Sequence, residues 1–331
     1  MLAGLDVSRL KGLEIGALDS PIVTSHDGDV IYVDHMDREA LRSKYARDEN
    51  VQTDRLVDVN IVWGEHRLAE TLGARKIEYV VASHVVEHVP DLVGWLVEIS
   101  EILSDHGQLR LVIPDRRFTF DFFRRESRMS DVLSAFIAQS RAPTPIQIID
   151  HFSDKANFTA QEAWDVFPKE RERVHTIDDA GGFELAKRVA AEGGYHDVHC
   201  WVFTPTSFAE ILLRTARLGL HPFSCRFIET TRRGELEFYC ALELQEDREI
   251  AIESWSAIYE KLKDTSATPP PERSAASDYS TRDRDITMSS LEMERDLALT
   301  RLSTIEQSRS WRLVTRLRKL RSSLKSVLQA R

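Results

Sequence analysis

The sequence holds only three cysteines, Cys200, Cys225 and Cys240, among 331 residues. An odd and scattered set of that kind excludes a small disulfide-stapled scaffold. No apolar run approaches 18 residues, which excludes a spanning helix. Glycine (14) and proline (11) are too few for a collagenous or low-complexity chain. The N-terminus lacks the basic-then-apolar pattern of a secretory leader, so the expected compartment is a reducing cytoplasm. The dinucleotide fingerprint G-x-G-x-x-G is lacking too. The first strand-to-helix turn reads Leu13-Glu14-Ile15-Gly16-Ala17-Leu18-Asp19, with one glycine, which counts against a dehydrogenase that cradles a pyrophosphate.

With 42% hydrophobic residues, the chain can fill one sizeable core or two modest ones. Its formal charge of −10 is split unevenly. Residues 301–331 carry nine Lys and Arg against one acid, Glu306, a formal +8; the first 300 residues hold 35 basic and 53 acidic groups, a formal −18. An acidic body is a poor match for nucleic acid, whereas a basic tail suits an anionic surface.

From Lys11 to Asp115, short β-branched runs alternate with helical stretches, the rhythm of βαβ units. Strands are predicted at 12–15, 30–33, 56–62, 77–82 and 108–113, and helices at 37–46, 65–72 and 91–103. In the last helix Leu92, Trp95, Leu96, Ile99 and Leu103 form one apolar stripe, with Gly107 in the position of a stop. Residues 116–200 lose this rhythm and read as an insertion that binds an acceptor. Thr204 and Pro205 start a helix that runs to Leu218, and two alternating runs, 223–230 and 235–244, form an antiparallel hairpin. The expected fold is α/β: a doubly wound, seven-stranded, mostly parallel sheet with a helical insertion. Residues 1–115 form the cofactor-binding half, and 201–263 complete the sheet. Residues 264–287, with Pro269, Pro270 and Pro271, read as a linker. Residues 288–331 read as a basic amphipathic helix, with Leu313, Leu317, Leu320, Leu324 and Val327 at coiled-coil spacing, too short to pair stably alone.

Leu13-Glu14-Ile15-Gly16, Tyr32-Val33-Asp34, Val81-Ala82-Ser83-His84, Glu87-His88-Val89 and Ile113-Pro114-Asp115, in that order, resemble the motifs of class I S-adenosylmethionine-dependent methyltransferases over residues 8–245. The resemblance implies that Glu14 and Gly16 hold the methionine end of S-adenosylmethionine and Asp34 holds the ribose. It further implies that Asp58 or Asn60 meets the adenine, and that Ser83 and His84 line the cofactor floor. Ala17 and Leu18 stand where many members of the family carry more glycine.

Methyl transfer to a hydroxyl needs alignment, a dry pocket and a base. His88 and Asp115 are the catalytic candidates, with His151, His175 and His199 further off; His88 also reads as a histidine satisfied by a backbone partner. Arg116 and Arg117 suit an anionic group on the acceptor, or are solvated loop charges. His151, His199 and Trp201 complete the acceptor-binding candidates, and Trp164, Trp201 and Phe203 either stack on a sugar or pack in the core. His84-Val85-Val86-Glu87-His88 matches a zinc-protease pattern, yet it follows a strand and precedes Pro90, so its histidines do not share a helix face. His196 and His199 form a second pair with no clear third ligand, and no metal is expected.

The string Ser308-Arg309-Ser310-Trp311-Arg312-Leu313 resembles C-terminal tails of bacterial glycosyltransferases of surface-polysaccharide assembly. That resemblance points to a glycan or other small-molecule acceptor. It also points to peripheral contact of the tail with an anionic membrane or an assembly protein. Two rivals stand beside the methyltransferase: a non-catalytic binding or scaffold module and, more remotely, a nicotinamide oxidoreductase.

Overall fold

The computed structural model describes residues 1–48, 50–64, 66–165 and 175–266. The predicted tail, its leucine stripe and all but the start of the predicted linker lie outside them. The first half of the chain is β1 (Lys11–Ile15), β2 (Asp29–Asp34), α1 (Arg38–Lys44), β3 (Ile61–Val62), α2 (Leu68–Leu72), β4 (Ile77–Ser83), α3 (Leu92–Ile102) and β5 (Leu103–Pro114). The insertion follows, with α4 (Met129–Ala138), α5 (Pro145–Ser153), α6 (Ala160–Asp165) and α7 (Asp179–Glu192), and a small ribbon of β6 (Lys155–Ala156) and β7 (His175–Thr176). The chain then returns to the sheet through α8 (Pro205–Arg217), β8 (Phe223–Glu229), β9 (Glu237–Leu244) and α9 (Arg248–Ser266).

Seven strands form one sheet in the order β3-β2-β1-β4-β5-β9-β8. The first five are parallel, and β9 lies antiparallel between β5 and β8. The fold is therefore the doubly wound, mostly parallel α/β sheet that the sequence predicts. β4 shows why: Tyr79, Val80, Val81 and Ala82 are all buried, the continuous apolar run of a strand covered on both faces. α3 buries its stripe from Leu92 to Ile102 against the sheet and starts at Asp91, whose carboxylate accepts from the Gly94 N–H. It ends at Ile102, before the predicted Gly107 stop, because Leu103 already pairs beside Ile77 of β4. Thr204 caps α8 by accepting from the Ser207 N–H, with Pro205 in the first turn, as expected.

The third strand is shorter than predicted. Only Ile61 and Val62 join the ladder. Just upstream, the Asn60 side-chain oxygen takes the Tyr32 N–H while the Asn60 N–H donates to the Tyr32 carbonyl, so a side chain replaces the next ladder bond. Farther back, Val57 donates to Leu18 of the β1 loop instead of to β2.

Chain order reverses between β1 and β4. From β1 the chain steps outward to β2 and β3, then crosses back to β4 on the other side, so the carboxyl ends of β1 and β4 flank a crevice where open α/β sheets bind ligands. The insertion leaves and rejoins at this same edge: Asp115, just past β5, bridges Phe203, and the Arg116 N–H donates to the Phe203 carbonyl.

The turn after α8 carries a buried titratable group. His221 Nε2 donates to the Leu212 carbonyl at 3.0 Å and its Nδ1 accepts from the Phe223 N–H at 3.2 Å, which requires the neutral ring. Burial holds its pKa down at about 4. The unfolded chain therefore binds a proton, in the window between about 6.5 and 4, that the folded chain refuses, and stability falls as the pH falls. We expect His221 to account for a loss of about 2 kcal/mol between pH 7.5 and 5.0. Urea unfolding at both pH values measures it: in His221→Gln the loss should be smaller by about that amount. An equal loss in both proteins would rule the assignment out.

Candidate functional site

The site is built at the carboxyl edge of β1, β2 and β4. Gly16 ends β1 with φ of +71°, and its N–H donates to the Val33 carbonyl. A Cβ there would stand 3.1 Å from Val85, so glycine fits both the backbone conformation and the space. Glu14 is buried, and its two carboxylate oxygens accept the Ile22 and Val23 N–H groups at 2.8 and 2.9 Å. It therefore holds the loop that follows Gly16. Burial raises its pKa against the pull of those two bonds. Asp34 ends β2, buried; its Oδ1 accepts from the His35 N–H and lies 2.6 Å from His35 Nδ1.

Asp58 and Asn60 precede β3 instead of following it. Asn60 belongs to the strand-edge pairing with Tyr32, and Asp58, 85% exposed, pairs with Arg38 at 2.8 Å. The predicted adenine contact does not follow from these positions, because the strand they were assigned to begins later.

After Ser83, the last residue of β4, His84 takes φ of +52° and its N–H donates to the Val112 carbonyl. This turn brings three side chains together. Glu87 is 1% exposed, and neither of its carboxylate oxygens has a hydrogen-bond partner among the described residues. His84 Nδ1 lies 3.6 Å and His88 Nε2 3.9 Å from Glu87 Oε1. His84, 41% exposed, also reaches toward Glu237 of β9 at 3.8 Å. His88, 27% exposed, places Nδ1 2.9 Å from Asp197 Oδ1, off the line of a straight hydrogen bond. Burial opposes a charge on both rings, but the carboxylates outweigh it and raise both pKa values. Asp197 is held far below the usual carboxylate range by His88, against burial and with help from Lys44, whose ammonium donates to it at 2.8 Å.

The insertion supplies the other wall. His199 is buried, with Nδ1 2.5 Å from Asp121 Oδ2 and its ring 4.6 Å from that of His88, edge to face. Arg124, fully buried, donates to Asp121 at 2.6 Å, to Asp150 of α5 at 2.8 and 3.1 Å, and to the His199 carbonyl at 2.9 Å. Against the cost of burial, His199 and Arg124 keep the Asp121 carboxylate ionised well below its ordinary range.

Several predicted residues have other occupations. Asp115 is fully buried and accepts from Arg117 and from the Thr231 hydroxyl, so it is no free base. Arg117 is thereby engaged within the chain. Arg116 donates to the Phe122 carbonyl at 2.6 Å; it also lines an open cavity of about 500 Å³ with Arg125, Arg128, Arg214, Glu126 and Glu210. That cavity contains none of the residues at the carboxyl ends of β1, β2 and β4. His151 accepts the His199 N–H, and burial first, then nearby cations, lower its pKa to about 2. It supports the backbone of His199. Trp201 and Phe203 are core: the Trp201 indole donates to the Val89 carbonyl at 2.6 Å, so neither ring is a surface for a sugar. Trp164 stacks on Phe118 at 3.9 Å.

Pairing by sequence spacing had set His84 with His88 and His196 with His199, whereas the fold takes one histidine from each pair and adds Glu87. Asp121, Arg124, Asp150 and Asp197 were not foreseen. Asp197 lies between the two histidines of the second pair, and Asp121 and Arg124 sit three apart, the only signals the sequence offers.

No family model matches the chain, and no curated protein matches it. Solved structures are similar at low identity. One is the CurJ carbon methyltransferase, 13% identical, TM-score 0.35, with 74% of this chain and 51% of that one covered, so this chain spans about half its length. A second is an S-adenosylmethionine-dependent methyltransferase from Mesorhizobium loti, 10% identical, TM-score 0.37, covering 72% and 93%. A third, from Rhodobacter sphaeroides, is described as a Zn-dependent alcohol dehydrogenase, 11% identical, TM-score 0.40, covering 74% and 87%. At scores this low, the fold class rests on the strand order of the chain itself.

Removing Arg124 leaves the buried Asp121 carboxylate short of a partner. Arg124→Met should lower unfolding stability by about 3–5 kcal/mol. Arg38→Met, which breaks the pair with the exposed Asp58 and a long bond to the Asp54 carbonyl, should cost less than about 1 kcal/mol. Urea titration of both variants checks the contrast.

Proposed function

We propose that the chain is an S-adenosylmethionine-dependent methyltransferase whose acceptor is a hydroxyl of a glycan or another small molecule. What carries the reading is the meeting of three features at one edge. The glycine turn after β1, the buried acid ending β2 and the histidine–carboxylate cluster after β4 all lie at the crevice where strand order reverses.

These residues fit the cofactor. Gly16 leaves its backbone open where a side chain would crowd Val85, and Asp34 keeps a carboxylate oxygen that His35 does not use, which supports its role as the acceptor for ribose hydroxyls. Glu14 acts through the loop it holds. When bound, the cofactor supplies an electrophilic methyl group on a sulfonium. The chain aligns the acceptor and excludes water. His84 and His88, partly exposed beside Glu87, are placed to take up the proton that the acceptor loses.

Isothermal titration with S-adenosylmethionine tests this reading. Wild type should bind. Asp34→Ala should bind about ten- to a hundredfold more weakly, the loss of a hydrogen bond to a charged group, and Asp58→Ala should bind as wild type does. A folded wild-type protein that fails to bind would overturn the proposal.

The glycan acceptor is supported by the likeness of residues 308–313 to the tails of glycan-assembly enzymes, and the +8 charge of residues 301–331 supports a tether to an anionic surface. No helix among the described residues is long and apolar enough to cross a membrane. Flotation with vesicles containing anionic lipid should recover the full chain at low salt and release it at high salt. A chain ending at residue 287 should remain unbound, and equal recovery of both would refute the tether.

A further inference from the structure

We propose that Glu87, His88 and His199 form a binding site for one divalent transition-metal cation. Each offers a donor atom within 4.8 Å of the other two. Bonds of about 2.0–2.2 Å would set the donors roughly 3–3.5 Å apart, so the ligands need to close by at most about 1.3–1.8 Å. Two imidazoles with one carboxylate are a donor set for zinc, manganese, iron or cobalt and leave coordination positions open.

Glu87 supplies a separate line of evidence. A carboxylate that is 1% exposed with both oxygens lacking a hydrogen bond among the described residues is costly, and its histidine neighbours at 3.6 and 3.9 Å stand beyond hydrogen-bond reach. A cation at this point would satisfy both oxygens. The surrounding charges point the same way. Glu87, Asp121, Asp150, Asp197 and Glu237 outnumber the Arg and Lys side chains that face them, Arg124, Lys44 and Lys155.

The outer shell is also built. Metal-bound histidines usually present their second nitrogen to a carboxylate, which fixes the ring. Here Asp121 faces His199 Nδ1 at 2.5 Å and is itself held by Arg124, and Asp197 faces His88 Nδ1 at 2.9 Å and is held by Lys44. Nε2 of each ring remains for the cation. His88, 27% exposed, marks the side by which an oxygen ligand would reach the open positions. If the methyltransferase reading holds, that ligand is the acceptor hydroxyl, whose proton the cation would make more acidic and His84, since His88 is then a ligand, would take up. Binding of the metal does not depend on that reading.

The test uses the full chain, stripped with a chelator and free of S-adenosylmethionine. Titration with Mn2+ and Zn2+ by calorimetry should show one site, and Co2+ should give visible absorption from nitrogen and oxygen ligands. Glu87→Gln and His199→Ala should each weaken binding at least tenfold. Because Glu87→Gln removes a buried unpaired charge, its metal-free form should melt no lower than wild type, and metal should raise the melting temperature of wild type alone. Two results would overturn the site: absence of binding at millimolar metal, or binding that both substitutions leave unchanged. Neither depends on the S-adenosylmethionine titration, so the two proposals stand or fall separately.

Discussion

A single buried guanidinium organises the candidate site. The Arg124 side chain is fully buried, and its donors reach Asp121, Asp150 and the carbonyl of His199. Those groups come from the loop after β5, from α5 and from the segment that returns to the sheet. A charge taken out of water is tolerable only where its hydrogen bonds are met, so these three pieces of chain are obliged to meet at one point. The position of His199 follows. Its carbonyl is held by Arg124, its N–H by His151 and its Nδ1 by Asp121, which leaves its ring against His88.

The sheet was legible because its causes are local or nearly so. Apolar runs bounded by turn residues, a Thr204-Pro205 helix start and two alternating runs joined by Arg232-Arg233-Gly234 each declare themselves within a few residues. The exceptions are instructive. β3 shrinks because the Asn60 side chain imitates a backbone acceptor, a bond no hydropathy pattern contains. α3 stops early because Leu103 finds a partner in β4, a fact of tertiary pairing.

The cluster was illegible for a different reason. Glu87 and His88 lie in one turn, His199 and Asp197 come from the far end of the insertion, and Asp121 comes from the loop after β5. Spacing rules see only residues carried by one element. Trp201 and Asp115 misled in the opposite sense, since aromatic and acidic residues near a strand end look like site residues until burial shows them taken up by Val89, Arg117 and Thr231.

The join between the two walls of the site bears on how a ligand gets in. The carbonyl of Glu87 accepts the N–H groups of both Cys200 and Trp201, and the carbonyl of Val89 accepts the Trp201 indole. The turn after β4 is thus cross-linked to the returning segment by backbone bonds as well as side chains. Hinged closure of the insertion over the sheet would have to break them together, which amounts to local unfolding on a slow timescale. Movement at this edge is then left to the loops on the β1 and β2 side, and the insertion behaves as a fixed wall of the candidate site.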